Sequence, residues 1–143
     1  MELDLNNMAV ALSKINSFTE ALAKKLIDLS GNGLTVALTN TAHTANWDEL
    51  ADLTQISYDN LSARVITVSS CAQTDGTLKL VCADLTLTAS GSVGPFQYVY
   101  VYDDNSTGDK LCFYYDYGSA VTLDSGDSFV IDFDADDGVL TIA

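Results

Sequence analysis

One histidine, three cysteines and twenty acidic residues are the groups with which this 143-residue chain could do chemistry. His43 lies in the polar stretch Thr39-Asn40-Thr41-Ala42-His43-Thr44. A Ser/His/Asp site needs its base on a rigid framework, and no Gly-x-Ser-x-Gly elbow accompanies the histidine, so His43 is expected to be an exposed loop residue. The run Gly91-Ser92-Val93-Gly94-Pro95 has neither a Lys nor a following helical pattern, which removes it as a phosphate cradle. Carboxylates are so numerous that no pair stands out. A glycan hydrolase would need two of them roughly 5 to 9.5 Å apart in a cleft. Asp132, Asp134, Asp136 and Asp137 alternate like a calcium loop, but Asp137 occupies the place of the turn glycine and no Glu follows. Alternation with Phe129, Ile131 and Phe133 favours a strand with an acidic outer face, and Asp103, Asp104 and Asp109 read as a solvated hairpin tip. No catalytic residue, cofactor or metal is expected, and the chain reads as a non-enzyme.

The cysteines Cys71, Cys82 and Cys112 are odd in number, well separated and set in strand-like runs, unlike a disulfide framework or a zinc site. They are expected to be reduced, buried small hydrophobes. The net charge of -14 comes from twenty acids against six bases. Nucleic acid and anionic membranes both require clustered Lys or Arg and are not expected partners. Neither a basic leader before an apolar stretch nor eighteen uninterrupted apolar residues is visible, so the product is expected to be soluble in the cytoplasm where it is made.

These groups must be positioned by two kinds of element. Met8, Leu12, Ile15, Phe18, Leu22, Leu26 and Leu29 recur three or four apart, which predicts an α-helix from Met8 to Leu29, capped by Asn6 or Asn7 and stopped by Gly31 and Gly33. That helix carries a net +1, whereas the chain from Gly33 onward has sixteen acids and three bases. The reading is therefore a helical arm over residues 1–32 and a β-domain over residues 33–143. After Gly33 the period becomes two. Strands are predicted over residues 34–39, 63–69, 77–89, 96–102, 110–117, 128–134 and 139–142. Asn46 and Glu49 are spaced as a capping box for a short helical turn, with Trp47 as its packing anchor. Many short strands between Gly, Asp and Ser clusters predict a mainly β fold, an antiparallel jelly-roll-like sandwich.

Two of these strands are bulky on both faces. Phe96, Tyr98, Tyr100 and Tyr102 alternate with Val99 and Val101, and Leu111, Phe113, Tyr115 and Tyr117 alternate with Cys112 and Tyr114. A sheet with one wet side does not need this, so the helix, a second sheet or a neighbouring subunit must cover the other face. Tyrosine also suits interfaces, because its ring is apolar and its hydroxyl stays wet. Leu12, Ile15, Phe18, Leu22, Tyr98, Tyr100 and Tyr114 are thus the candidate interface residues of a homo-oligomer.

Several stretches resemble small structural proteins of tailed bacteriophages. They are residues 33–41 and 50–56, the run Gly94-Pro-Phe-Gln-Tyr-Val-Tyr-Val-Tyr-Asp103, the run Leu123-Asp-Ser-Gly-Asp-Ser-Phe-Val-Ile-Asp-Phe-Asp134, and Gly138-Val-Leu-Thr-Ile142. The resemblance covers most of residues 18–143. It implies a virion component of the capsid decoration, or cement, kind: a sandwich, commonly a trimer, on the outer capsid surface, bridging major capsid protein subunits. The N-terminal helix departs from that pattern. Similar sandwiches in tail and head fibres make a receptor- or glycan-binding module the alternative, with Trp47 and loop tyrosines stacking on sugars.

Overall fold

A computed structural model describes the backbone of residues 2–4 and all of residues 10–143. The protein is mainly β with one short N-terminal helix. Its strands are β1 (Glu2–Asp4), β2 (Ser13–Lys14), β3 (Leu34–Thr39), β4 (Val68–Thr74), β5 (Thr77–Cys82), β6 (Leu85–Thr88), β7 (Val93–Asp103), β8 (Lys110–Leu123), β9 (Ser128–Asp132) and β10 (Leu140–Ile142). They form three separate sheets, ordered β1-β9-β6, β10-β5-β4 and β2-β8-β7-β3. Every pairing is antiparallel except β1 with β9. None of the sheets closes on itself into a barrel.

The four-stranded sheet is the spine. All six residues of β3 are buried, as its nearly continuous apolar run requires. Its outer edge is occupied by the segment before β4: Val36 N–H donates to Arg64 O at 2.9 Å and Ile66 N–H to Leu34 O at 2.8 Å. This segment was expected to be a strand from residue 63; the regular pairing starts only at Val68. The single strand expected over residues 77–89 is two, β5 and β6, in different sheets. Between them the exposed Asp84 ties the chain to the end of β9, its Oδ1 accepting the Phe133 N–H at 2.9 Å.

β7 pairs with β3 in unbroken register from Tyr98 to Asp103, so Tyr98, Tyr100 and Tyr102 share one face as expected. From Phe96 onward the register shifts against β8 fall where β8 carries the extra residues: Val101 pairs with Phe113 but Tyr102 with Leu111, so the expected row Leu111, Phe113, Tyr115 and Tyr117 is broken at Cys112. Phe96 packs edge-on against Phe129 of β9, centroids 5.2 Å apart, and Tyr117 meets the same ring at 5.6 Å. These contacts join the four-stranded sheet to the sheet of β9.

The long helix expected from Met8 to Leu29 is the largest correction. Among the described residues of this segment, the helical ones are α1 (Phe18–Ala23). Met8 and the capping candidates Asn6 and Asn7 lie outside the described residues. Ser13 and Lys14 instead pair with Tyr114 and Phe113, and Ile15 N–H continues the pairing to Cys112 O at 3.1 Å. The exposed edge of β8 thus takes backbone groups that a helix would have satisfied internally. At the other end Lys25 adopts φ +60°, and the chain turns so that Ile27 is buried while Leu26 is 45% exposed. Val10, Ile15, Phe18, Ala21, Ile27 and Leu29 are buried in the same core as the strands, with Phe18 edge-on to Phe113 at 6.3 Å.

A buried carboxylate pins this segment to the sheet. Asp103, only 2% exposed, accepts the N–H groups of Asp28 at 2.9 Å and Asn105 at 3.0 Å. A Cβ at Gly33 would collide with the Asp103 carboxylate and the Asn105 amide, so the glycine is a packing requirement here rather than a helix stop. The helical turn expected after Asn46 is displaced to Leu50–Asp52. Asp52, not Asn46, supplies the cap: its Oδ2 accepts from Asp48 N at 2.9 Å and Glu49 N at 3.1 Å.

Candidate interaction surface

The strand β8 presents a different environment on each face. Tyr114 pairs across the sheet with Tyr100, and Tyr100 in turn with Ala37, which places these residues on one face. Phe113 pairs with Val101 and with Lys14, which places these on the other.

On the first face, residues 40–49 fold back over the sheet. Asn16 Nδ2 donates to Ala45 O at 3.0 Å, and Trp47 N to Thr44 O at 3.1 Å, fixing the crossing. The His43 ring stacks on Tyr114, centroids 4.5 Å apart, and Tyr114 stacks on Tyr100 at 5.0 Å. Trp47 sits edge-on to His43 at 5.7 Å. His43 Nδ1 lies 2.9 Å from the Tyr100 hydroxyl. In the neutral imidazole protonated at Nε2, that hydroxyl donates to Nδ1 and is satisfied. Burial lowers the His43 pKa from 6.5 and raises that of Tyr100, so both are neutral around pH 7.

His43 is therefore a half-buried member of an aromatic stack, not the exposed loop histidine expected. Trp47 packs over the sheet, its ring 6.4 Å from that of Tyr100. The cover for this face, expected from the helix, another sheet or a subunit, comes from the chain's own loop.

On the second face, α1, β2, the Phe113 ring and β10 enclose an open groove of about 490 Å³. Its apolar walls are Leu12, Phe18, Leu22, Phe113, Leu140 and Ile142, and Ile142 is 40% exposed. Lys14 is the one charged lining residue. Its Nζ donates to Thr19 Oγ1 at 3.0 Å, and among the described residues no carboxylate reaches it.

The candidate interface residues separate accordingly. Ile15, Phe18 and Tyr100 are committed to the chain's own core, at 4% exposure or less. Leu12 and Leu22 are half-buried at the groove, Tyr114 is half-buried in the stack, and Tyr98 is half-buried with its hydroxyl accepting from Gln97 Nε2 at 3.4 Å. Sequence reading missed Phe113, Leu140 and Ile142 as groove residues. The pairing of β2 with β8 brings Phe113 beside Leu12, and β10 reaches the groove from another sheet; no spacing in the chain signals either.

Several other ionisable groups are engaged structurally. Lys110 Nζ lies 2.6 Å from Glu49 and 3.7 Å from Asp48, and the Glu49 hydrogen bond raises its pKa. Asp134 Oδ1 accepts the N–H groups of Asp136 and Asp137, both at 2.7 Å, closing the acidic turn on itself. Among the described residues no cluster of three or more His, Cys, Asp or Glu is placed to hold a metal ion. All three cysteines are free; Cys82 and Cys112 are buried and Cys71 half-buried. Burial pushes the Cys82 thiol up to about 12.

Compared with models of protein families, with curated proteins and with solved structures, the chain has no significant match.

Proposed function

We propose that the chain is a non-catalytic virion structural protein: a capsid decoration, or cement, protein that binds the assembled head of a tailed phage and bridges major capsid subunits from outside. The open apolar groove on a tightly packed β-body carries this reading. A solvent-facing groove with six large apolar side chains on its walls is an attachment surface in want of a partner. The likeness of residues 33–41, 50–56, 94–103, 123–134 and 138–142 to phage structural proteins supplies the partner's class. The jelly-roll-like sandwich belongs to the same proposal; the edge-on ring contacts of Phe96 and Tyr117 with Phe129, between two of the sheets, support it.

A homotrimer suits the role, since an oligomer contacting several shell subunits gains avidity from modest individual contacts. The acidic exterior keeps many copies soluble before assembly. It also argues against nucleic acid and anionic membranes as partners. The contact is largely apolar, because desolvating carboxylates without basic partners costs too much. The glycan-binding alternative would use Trp47 and Tyr114, but one ring face of Tyr114 is taken by Tyr100 and the other neighbour is His43.

The test adds the protein to decoration-free phage heads. Binding in fixed stoichiometry that raises their melting temperature at both low and high salt is expected. Full occupancy with unchanged stability would sink the cement role.

A further inference from the structure

We propose that the groove docks an extended protein segment that lies along the free edge of β10 and sets a carboxylate on Lys14. The inference deepens the shell-binding reading and rests on it for the identity of the partner. Three observations carry it. First, β10 stands at the end of its sheet among the described residues, which leaves backbone groups along its outer edge open to pairing. Second, all three residues of β10, Leu140, Thr141 and Ile142, line it, which offers a full strand length to an incoming strand. Third, the charge is complementary to an acid in a protein that is otherwise acidic. The charged residue lining the groove is Lys14. Lys24 is held by Glu20, whereas Lys14 has no carboxylate partner among the described residues.

An apolar strand bearing an acid satisfies all three at once. Its backbone completes an edge, its alternate side chains fill the walls, and its carboxylate meets the unmatched ammonium. A fatty acid would share the carboxylate and the apolar tail, but would leave the strand edge unpaired.

The probe is a fluorescein-labelled heptapeptide of alternating Leu or Val and Thr with a central Asp, read by anisotropy against the full chain. The native protein is expected to bind it roughly tenfold tighter than the central-Lys analogue. Lys14→Glu, an exposed position that leaves the core untouched, should reverse that preference. Leu22→Asp should abolish binding of both. Equal affinities, no binding of either peptide, or displacement by decanoate at lower concentration than by unlabelled peptide would overturn the proposal. So would a change in oligomer mass with Lys14→Glu, which would make the groove a self-interface. The two readings fail separately. Peptide binding without head binding removes the cement role and keeps the groove; head binding undisturbed by Lys14→Glu and Leu22→Asp does the reverse.

Discussion

The two faces of β8 begin from the same excess of bulky side chains and end differently. Around Tyr114 the chain supplies its own cover: His43 and Trp47 close over Tyr100, and the one buried hydroxyl has a partner. Around Phe113 the cover is partial, and the groove between α1 and β10 stays open. Crowded aromatic residues in a strand therefore do not by themselves mark an interface. What marks one is apolar surface that remains exposed after the loops have folded back.

Breaking the core under both faces should have the largest effect. Deleting residues 1–30 removes six buried apolar residues, Val10, Ile15, Phe18, Ala21, Ile27 and Leu29. At about 2–5 kcal/mol for each large aliphatic side chain, the loss approaches the whole stability of a domain. The truncated chain should lack a cooperative thermal transition by circular dichroism; a folded truncate would show that the segment is a separable arm.

Next come the single changes in the closed face. Tyr100→Ala should cost about 3–5 kcal/mol in urea unfolding, since it empties a fully buried aromatic site. His43→Ala should cost about 1–3 kcal/mol by stranding the Tyr100 hydroxyl. The same contact gives a pH dependence. The folded His43 pKa lies below 6.5, so its contribution is intact above pH 6.5 and is lost as pH falls through that value toward the folded pKa. Asp28 and Asp52, whose carboxyls are lowered by backbone and hydroxyl hydrogen bonds, contribute with the same sign but in a more acidic window, lost only below about pH 4. A stability decline between pH 6.5 and 5 should therefore be present in the native chain and flattened in His43→Phe.

The open face should behave in the contrary way. Leu22→Asp at the half-buried groove wall should change stability by no more than about 0.5 kcal/mol while abolishing attachment to heads. A large loss of stability with attachment retained would erase the distinction between the faces. The smallest effect concerns the thiols: Cys71 should react with a thiol reagent first and slowly, with Cys82 and Cys112 reacting only after denaturation.

Most strands were legible because period-two alternation between turn residues survives any tertiary arrangement; β3 and β10 fall within a residue of where the pattern puts them. The helix was not. The spacing Leu12, Ile15, Phe18, Leu22 satisfies a helical stripe, and the competing claim of the β8 edge on Ser13 and Lys14 is a long-range fact about residues a hundred positions away. The stack was hidden for a similar reason. His43 sits in a stretch of Thr and Asn that reads as open loop, and only the fold brings Tyr100 beneath it. Half of the groove, Leu12, Phe18 and Leu22, was visible as apolar spacing; Leu140 and Ile142 needed the sheet order.

Imaging intact phage particles by electron microscopy at a resolution that resolves strands tests the central claim most directly. The protein should appear as trimers on the outer surface of the head, with the groove between α1 and β10 turned toward the shell and filled by an extended segment of a major capsid subunit. Density confined to the tail or fibres, or trimers on the head whose grooves face solvent and stand empty, would contradict it.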